Sequence, residues 1–232
     1  MNCNNGLALQ VLQEEIVACR RCARLIAHCT EMARVKRRAF RDWDYWGLPV
    51  PSFGDPEAAL LIVGLAPAAH GGNRTGRVFT GDRSGDLLYK VLYQAGFANR
   101  PESRSREDDL RLTGAWITAT AHCAPPDNKP TPEELRNCRP WLDRELDLLP
   151  GLKVIVPLGK IAFDATLSLL HARGFIQRKA DFAFGHNLEY RIAPGCPVVI
   201  GSYHPSQQNT STGKLTERML LEVFMAARSI VG

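Results

Sequence analysis

Apolar positions recur along this chain at two spacings, and the switches between them outline the fold. Leu9, Leu12, Ile16 and Val17 fall at helical spacing within residues 7–18, and this amphipathic helix runs into Cys19. The run from Ala58 to Gly64 is short and unbroken instead, as suits a strand buried on both faces. Asp86 to Ala95 returns to the helical period, with Leu87, Leu88, Val91 and Leu92 turned to the core. Trp116 to Thr120, Lys153 to Pro157 and Val198 to Gly201 read as three more strands. Between them, a Thr131 cap, Pro132 in the first turn and the early acids Glu133 and Glu134 open a helix. Another helix runs to about Leu170, and Lys214 to Arg228 closes the chain. Residues 40–56, aromatic and rich in Pro and Gly, form a connector, and residues 99–111 an exposed charged loop. Strands alternating with helices predict an α/β fold, a parallel sheet covered on both faces. No repeat or linker interrupts it, so residues 1–232 are expected to form one domain.

Composition narrows the class. With 45% hydrophobic and 23% charged residues the chain is globular, and no apolar run approaches the roughly 18 residues that span a membrane. Met1 to Leu12 carries no apolar signal region, so a cytoplasmic location is expected. The net charge of +5 is mild but unevenly spread. Arg34, Lys36, Arg37, Arg38 and Arg41 fall in one window, preceded by Arg20, Arg21 and Arg24. Such a face attracts polyanions, although a solvated helix surface looks the same.

The first strand opens into a long glycine-rich loop from Gly64 to Asp82. Loops at the carboxyl ends of parallel strands carry the ligand crevice of open α/β sheets, and glycines admit a close backbone approach. The loop has neither GxGxxG nor GxxxxGK[ST]. Its inventory of Asn73, Arg74, Arg77, Phe79 and Asp82 suits a flat polar ring better than a triphosphate.

Seven cysteines without a signal peptide argue against structural disulfides and for metal or cluster ligation. Cys19 and Cys22 form a CxxC pair, and Cys123 and Cys138 flank a helix start. Four thiolates suit a [4Fe-4S] cluster or an all-cysteine zinc site, and the wide second spacing favours the cluster. Cys29 competes as a ligand but reads more simply as a small buried hydrophobe, and Cys3 and Cys196 as free thiols.

The last strand feeds a second polar loop, Ser202-Tyr-His-Pro-Ser-Gln-Gln-Asn-Thr-Ser-Thr-Gly213. Gly64-Leu-Ala-Pro67, His204-Pro-Ser206 and the four cysteines together resemble the uracil-DNA glycosylase superfamily, and within it the family 5, or type B, iron-sulfur enzymes. The likeness runs from about Cys19 to the C-terminus and includes Val35-Lys-Arg-Arg-Ala-Phe-Arg-Asp-Trp43 and Cys123-Ala-Pro-Pro-Asp-Asn-Lys-Pro-Thr-Pro132.

The resemblance implies a three-layer α/β/α sandwich around a mostly parallel four-stranded sheet, with an N-terminal helical segment binding a structural [4Fe-4S] cluster through Cys19, Cys22, Cys123 and Cys138. It implies a monomer that acts on uracil in double-stranded DNA, and in single strands as a second substrate. The base would be flipped from the helix, which costs least for a mispaired base. Phe79 would stack on it, Asn128 and backbone amides would read its edge, and His204 would hydrogen-bond the charge developing on its oxygen. Gly64, Ala66, Asn73, Ser206, Gln207 and Asn209 would complete the pocket. Many superfamily members place a water-orienting acid or amide in the first motif, where this chain has Leu65-Ala66-Pro67. Asp82 is the nearest carboxylate in the loop and takes that role, with Asn73 a further candidate and Asp86 read as a helix N-terminal acid. Neither main loop offers a lysine nucleophile, so hydrolysis to an abasic site is expected, Lys129 and Lys214 keeping a lyase step open. The segment 206–213 would press into the minor groove without a large apolar wedge. The lack of an acid or amide at Ala66 and the wide loop read as a broad pocket, and the resemblance implies that deaminated purines such as hypoxanthine and xanthine are accepted as well as uracil. Two other readings remain: a non-catalytic cysteine-cluster module that only grips nucleic acid, and a zinc hydrolase acting on nucleotides.

Overall fold

Successive residues of a strand point to opposite sides of its sheet, so a strand buried at every position must be covered twice. The strand Leu60–Gly64 meets that condition, with all five residues buried. Leu60 and Ile62 join one apolar cluster with Leu88, Val91, Leu92, Leu220, Val223 and Phe224. Leu61 and Val63 join another, with Leu9, Leu142, Ala162 and Leu169. The chain therefore forms three layers, helices on both faces of one sheet. This computed structural model describes residues 3–232, so Met1, Asn2 and the side chains of residues 1–4, the Cys3 thiol included, lie outside the description.

In chain order the elements are α1 (Cys3–Ala18), α2 (Ala23–Val35), β1 (Phe53–Gly54), β2 (Leu60–Gly64), α3 (Gly72–Thr75), α4 (Arg83–Gln94), β3 (Ala115–Ala119), α5 (Pro132–Leu148), β4 (Val154–Pro157), α6 (Lys160–Ala172), β5 (Glu189–Tyr190), β6 (Val198–Ile200), α7 (Gln207–Ser211) and α8 (Glu217–Val231). The sheet order is β1-β3-β2-β4-β6-β5. Its four inner strands run parallel, and both edge strands antiparallel. The expected four-stranded sheet is thus corrected to six strands. The four parallel ones were legible as apolar runs, whereas β1 and β5 have two residues each, too few to show a period.

Local chemistry sets several boundaries. Asp82 caps α4 by accepting from the Gly85 N–H, so this helix starts before the apolar residues that reveal it. Thr131 and Glu134 form a capping box at α5, and Glu134 also receives Arg24 from α2 at 2.7 Å. The helix α2 escaped the pattern because its buried face is only Leu25 and Cys29. Thr216 caps α8, which begins at Glu217 rather than at Lys214. Among the described residues, no helix is long and apolar enough to cross a membrane.

Candidate active site

The loop after β2 is pinned at its root, where the amides of Thr120 and Ala121 each donate to it, at Gly64 O and Leu65 O, at 2.9 Å. It passes through α3 and doubles back, laying the Phe79 ring across Gly64. A Cβ on Gly64 would stand 2.7 Å from Phe79 Cε2, so only glycine admits the ring there. Phe79 takes a left-handed φ of 51°, which costs a non-glycine residue about 1–2 kcal/mol. The surroundings impose it: Tyr89 Oη donates to Val78 O at 2.8 Å, and the Phe79 carbonyl lies where any Gly85 side chain would begin. Strain of this kind gathers at functional sites.

Asp82 ends the loop. Its Oδ1 accepts from Gly85 N at 3.0 Å, and its Oδ2 faces Gly71, where a Cβ would come within 2.2 Å. Burial pushes the carboxyl above its ordinary range, opposed by the Gly85 and Ser84 amides and the Arg74 charge.

His204 hangs from the neighbouring strands. Leu158 bridges to Ser202, Gly159 N donates to Ser202 O at 2.7 Å, and Asn209 Nδ2 donates to the His204 carbonyl at 2.8 Å. Its ring centroid lies 6.0 Å from that of Phe79, the planes 32° apart. Burial depresses the imidazole to about 4, so at neutral pH it carries one N–H and one lone pair and no charge. A flat ligand between strand ends would thus meet an aromatic face and a neutral donor, with the Asp82 carboxyl at the end of the same loop.

A second constellation sits at the N-terminal end. Cys19, Cys22, Cys123 and Cys138 line one small cavity of about 20 Å³, together with Leu25, Ile26, Pro49, His122 and Trp141. The His122 amide donates to Cys138 Sγ at 3.3 Å, and Asn137 Nδ2 to Cys22 Sγ at 3.7 Å. Burial pushes the Cys138 thiol up to about 12, so a nearby cation is needed to ionise it. Cys29 is fully buried and donates to Ala124 O at 3.6 Å. Among the described residues, no three His, Cys, Asp or Glu side chains gather closely enough to hold a single metal ion.

The profile of the uracil DNA glycosylase superfamily matches residues 51–228. A type-5 uracil-DNA glycosylase of Thermus thermophilus is 51% identical over 94% of this chain and 96% of its own length. One of Pyrobaculum aerophilum is 43% identical over 94% and 91%. The chain belongs to the type-5 branch of the uracil DNA glycosylase superfamily. A type-4 relative from Sulfurisphaera tokodaii is more distant, 27% identical over 66% of this chain and 55% of its own length.

Within this glycosylase fold the expected site residues separate into two groups. Gly64, half-buried Ala66, Phe79, Asp82 and His204 lie on the two strand-end loops. Ser206 caps α7 and Asn209 holds the His204 backbone, while Gln207 is exposed on α7. Asn73, expected at the base, is fully buried with its amide given to Cys29 O and Ala69 O, at 3.2 and 3.4 Å. Asn128 stands exposed on the turn 126–128 with a φ of 56°, and Asp86 is exposed in the first turn of α4. The two loop arginines are a correction. Arg77 is buried against Asp108, Ser103 and the Phe53 ring, and Arg74 is buried between aromatic rings, so neither faces a ligand ring. Sequence reasoning missed Gly71 and Gly159. Each lets a catalytic candidate approach, Asp82 and His204 respectively, and the only signal was a glycine after or within a strand-end loop.

Proposed function

We propose that this chain is a monofunctional uracil-DNA glycosylase that releases uracil, and deaminated purines such as hypoxanthine, from DNA by hydrolysis. The observation that carries the reading is the facing of the Phe79 and His204 rings, Phe79 over Gly64 and His204 at Gly159, with Asp82 three residues farther along the loop than Phe79. A flipped base stacks on Phe79, a contact worth about 1–3 kcal/mol. The bond from the sugar C1′ to the base nitrogen then breaks, leaving an oxocarbenium-like sugar and an anionic base. Neutral His204 donates its N–H to the base oxygen that gains this charge, a stabilisation present in the transition state more than in the ground state. Asp82 as carboxylate stabilises the sugar cation and takes a proton from the water whose oxygen bonds to C1′. A buried carboxylate whose proton affinity is raised is a better base for that step. Asn128 and Asn73 take supporting roles in this reading, Asn128 by closing from the exposed turn once DNA is bound.

The four thiols fit a [4Fe-4S] cluster in donor chemistry, and the wide spacing of Cys123 and Cys138 supports a cluster over a zinc knuckle. When bound, the cluster supplies a covalent tie between the end of α1 and the segment from Cys123 to Cys138. We further read residues 1–232 as one domain, acting as a cytoplasmic monomer on duplex DNA and on single strands.

The test is incubation with U·G, hypoxanthine and undamaged duplexes, followed by alkali cleavage at abasic sites and borohydride trapping. Release of uracil with no trapped covalent adduct is expected. A folded, cluster-loaded protein that binds DNA but leaves uracil in place would overturn the enzyme reading, and an adduct would overturn its monofunctional form.

A further inference from the structure

Arg74 is 4% exposed, yet carbonyls and aromatic rings surround its guanidinium where a carboxylate would be expected. Its Nε donates to His70 O at 2.8 Å and its Nη2 to Gly81 O at 3.0 Å. The carbon at the centre of the fork lies 4.0 Å from the centre of the Phe40 ring and 4.2 Å from that of Trp43. Nη1 is buried with no hydrogen-bond partner. A buried charge left this incompletely compensated is unfavourable, and two cation–π contacts offset only part of that. The fork joins the middle of the loop to its far end, and its second anchor is the residue before Asp82. Gly81 accepts the arrangement only as glycine, with a φ of 84° and Arg74 Nη2 2.3 Å from where a Cβ would be.

We infer that Arg74 is a positioning residue for Asp82: it fixes the Gly81 carbonyl, and so the carboxylate that follows, and its uncancelled charge favours the ionised form of that carboxylate. The inference rests on the catalytic role given to Asp82 above. The direction of the Arg74 effect on Asp82 agrees with it. The other titratable groups that feel Asp82 are Asp86 and Tyr89, both on α4, and Arg83 partly offsets Asp86.

The experiment measures single-turnover uracil excision against pH for wild type, Asp82→Asn, Arg74→Gln and Arg74→Lys, with a carbon-13 NMR titration of the Asp82 carboxyl. Arg74→Gln is expected to move the acid limb and the carboxyl titration upward, since a nearby positive charge favours the ionised carboxyl. Arg74→Lys keeps the charge but not the fork, so its limb stays in place while its plateau falls about tenfold. Should Arg74→Gln not fold, Trp43→Leu uncovers one face of the guanidinium and gives a smaller shift in the same direction. An unmoved limb and titration in the folded variants overturn the inference. So does a loss of DNA affinity in Arg74→Gln with a shallower salt slope, which marks a phosphate contact. Absence of wild-type excision, or full activity in Asp82→Asn, would defeat the catalytic reading itself, whereas wild-type excision with an unmoved limb defeats only the role of Arg74.

Discussion

Gly71→Ala puts the site's geometry to a quantitative test, because the new methyl group lands on Asp82 rather than on any DNA-facing surface. Its Cβ would stand 2.2 Å from Oδ2, 3.0 Å from Cγ and 3.2 Å from Cβ of Asp82, against an ordinary contact of 3.4–4 Å. The carboxyl must retreat by about 1 Å, and with Cγ and Cβ also crowded, a torsional swing alone does not clear the methyl group. Retreat breaks the 3.0 Å bond from Gly85 N to Oδ1, so α4 loses its cap at about 1 kcal/mol. In a chain of this size that lowers Tm by about 2–4 °C. A catalytic group displaced by about 1 Å costs on the order of 100-fold in rate, or about 2.7 kcal/mol of barrier. The assay is single-turnover excision from a U·G duplex, with a melting curve and a Kd for a duplex carrying an uncleavable abasic analogue. Turnover should fall about 100-fold with Kd unchanged. Gly6→Ala, whose methyl would meet only Pro56 at 4.0 Å, serves as the control and should keep full turnover. A Gly71→Ala enzyme within threefold of wild type would refute the placement of Asp82 at the reaction centre.

Other outcomes follow from the same geometry. Asp82→Asn keeps a side-chain oxygen for the cap, so it should melt near wild type while excision falls by 100-fold or more; equal activity removes Asp82 from the chemistry. His204, depressed to about 4, stays neutral from pH 7 down to about pH 5, so the acid limb of kcat belongs to Asp82 and should persist in His204→Gln at a lower plateau. The same depression means that the unfolded chain takes up a proton near pH 6.5 that the native chain refuses, so stability falls as pH drops through that window, by on the order of 2 kcal/mol at pH 5. Urea unfolding of wild type and His204→Gln at pH 7 and pH 5 measures the difference, and identical pH slopes would contradict it. Cys123→Ser should lose visible cluster absorption and soluble yield together, and a brown, stable variant would show that Cys123 is not a ligand.

Much of the framework could be read from the chain before its structure. The four parallel strands announce themselves because burial on both faces demands unbroken apolar runs, and Thr131 and Glu134 mark a helix start that the backbone adopts. The edge strands were silent because two residues carry no period, and α2 because its neighbours bury little of it. In the candidate site, Phe79, Asp82 and His204 stood out as chemistry in polar loops. Arg74, Arg77 and Asn73 looked alike in the sequence, yet they are buried as internal ties, since composition does not say which way a loop side chain turns. Gly71 and Gly159 were the least legible, because the part they play is the space they leave.

Both halves of the pocket hang from one sheet: the first loop from β2, and His204 from β6, with β4 between them. Hydrogen bonds between strand ends pin the roots of both. The roots of this pocket keep their places whichever lesion arrives, so much of the compliance has to come from the nucleic acid. Differences in rate between a U·G pair, a U·A pair and a single strand would then report the mechanics of the DNA, with the protein acting as a fixed gauge of how readily each base leaves its stack.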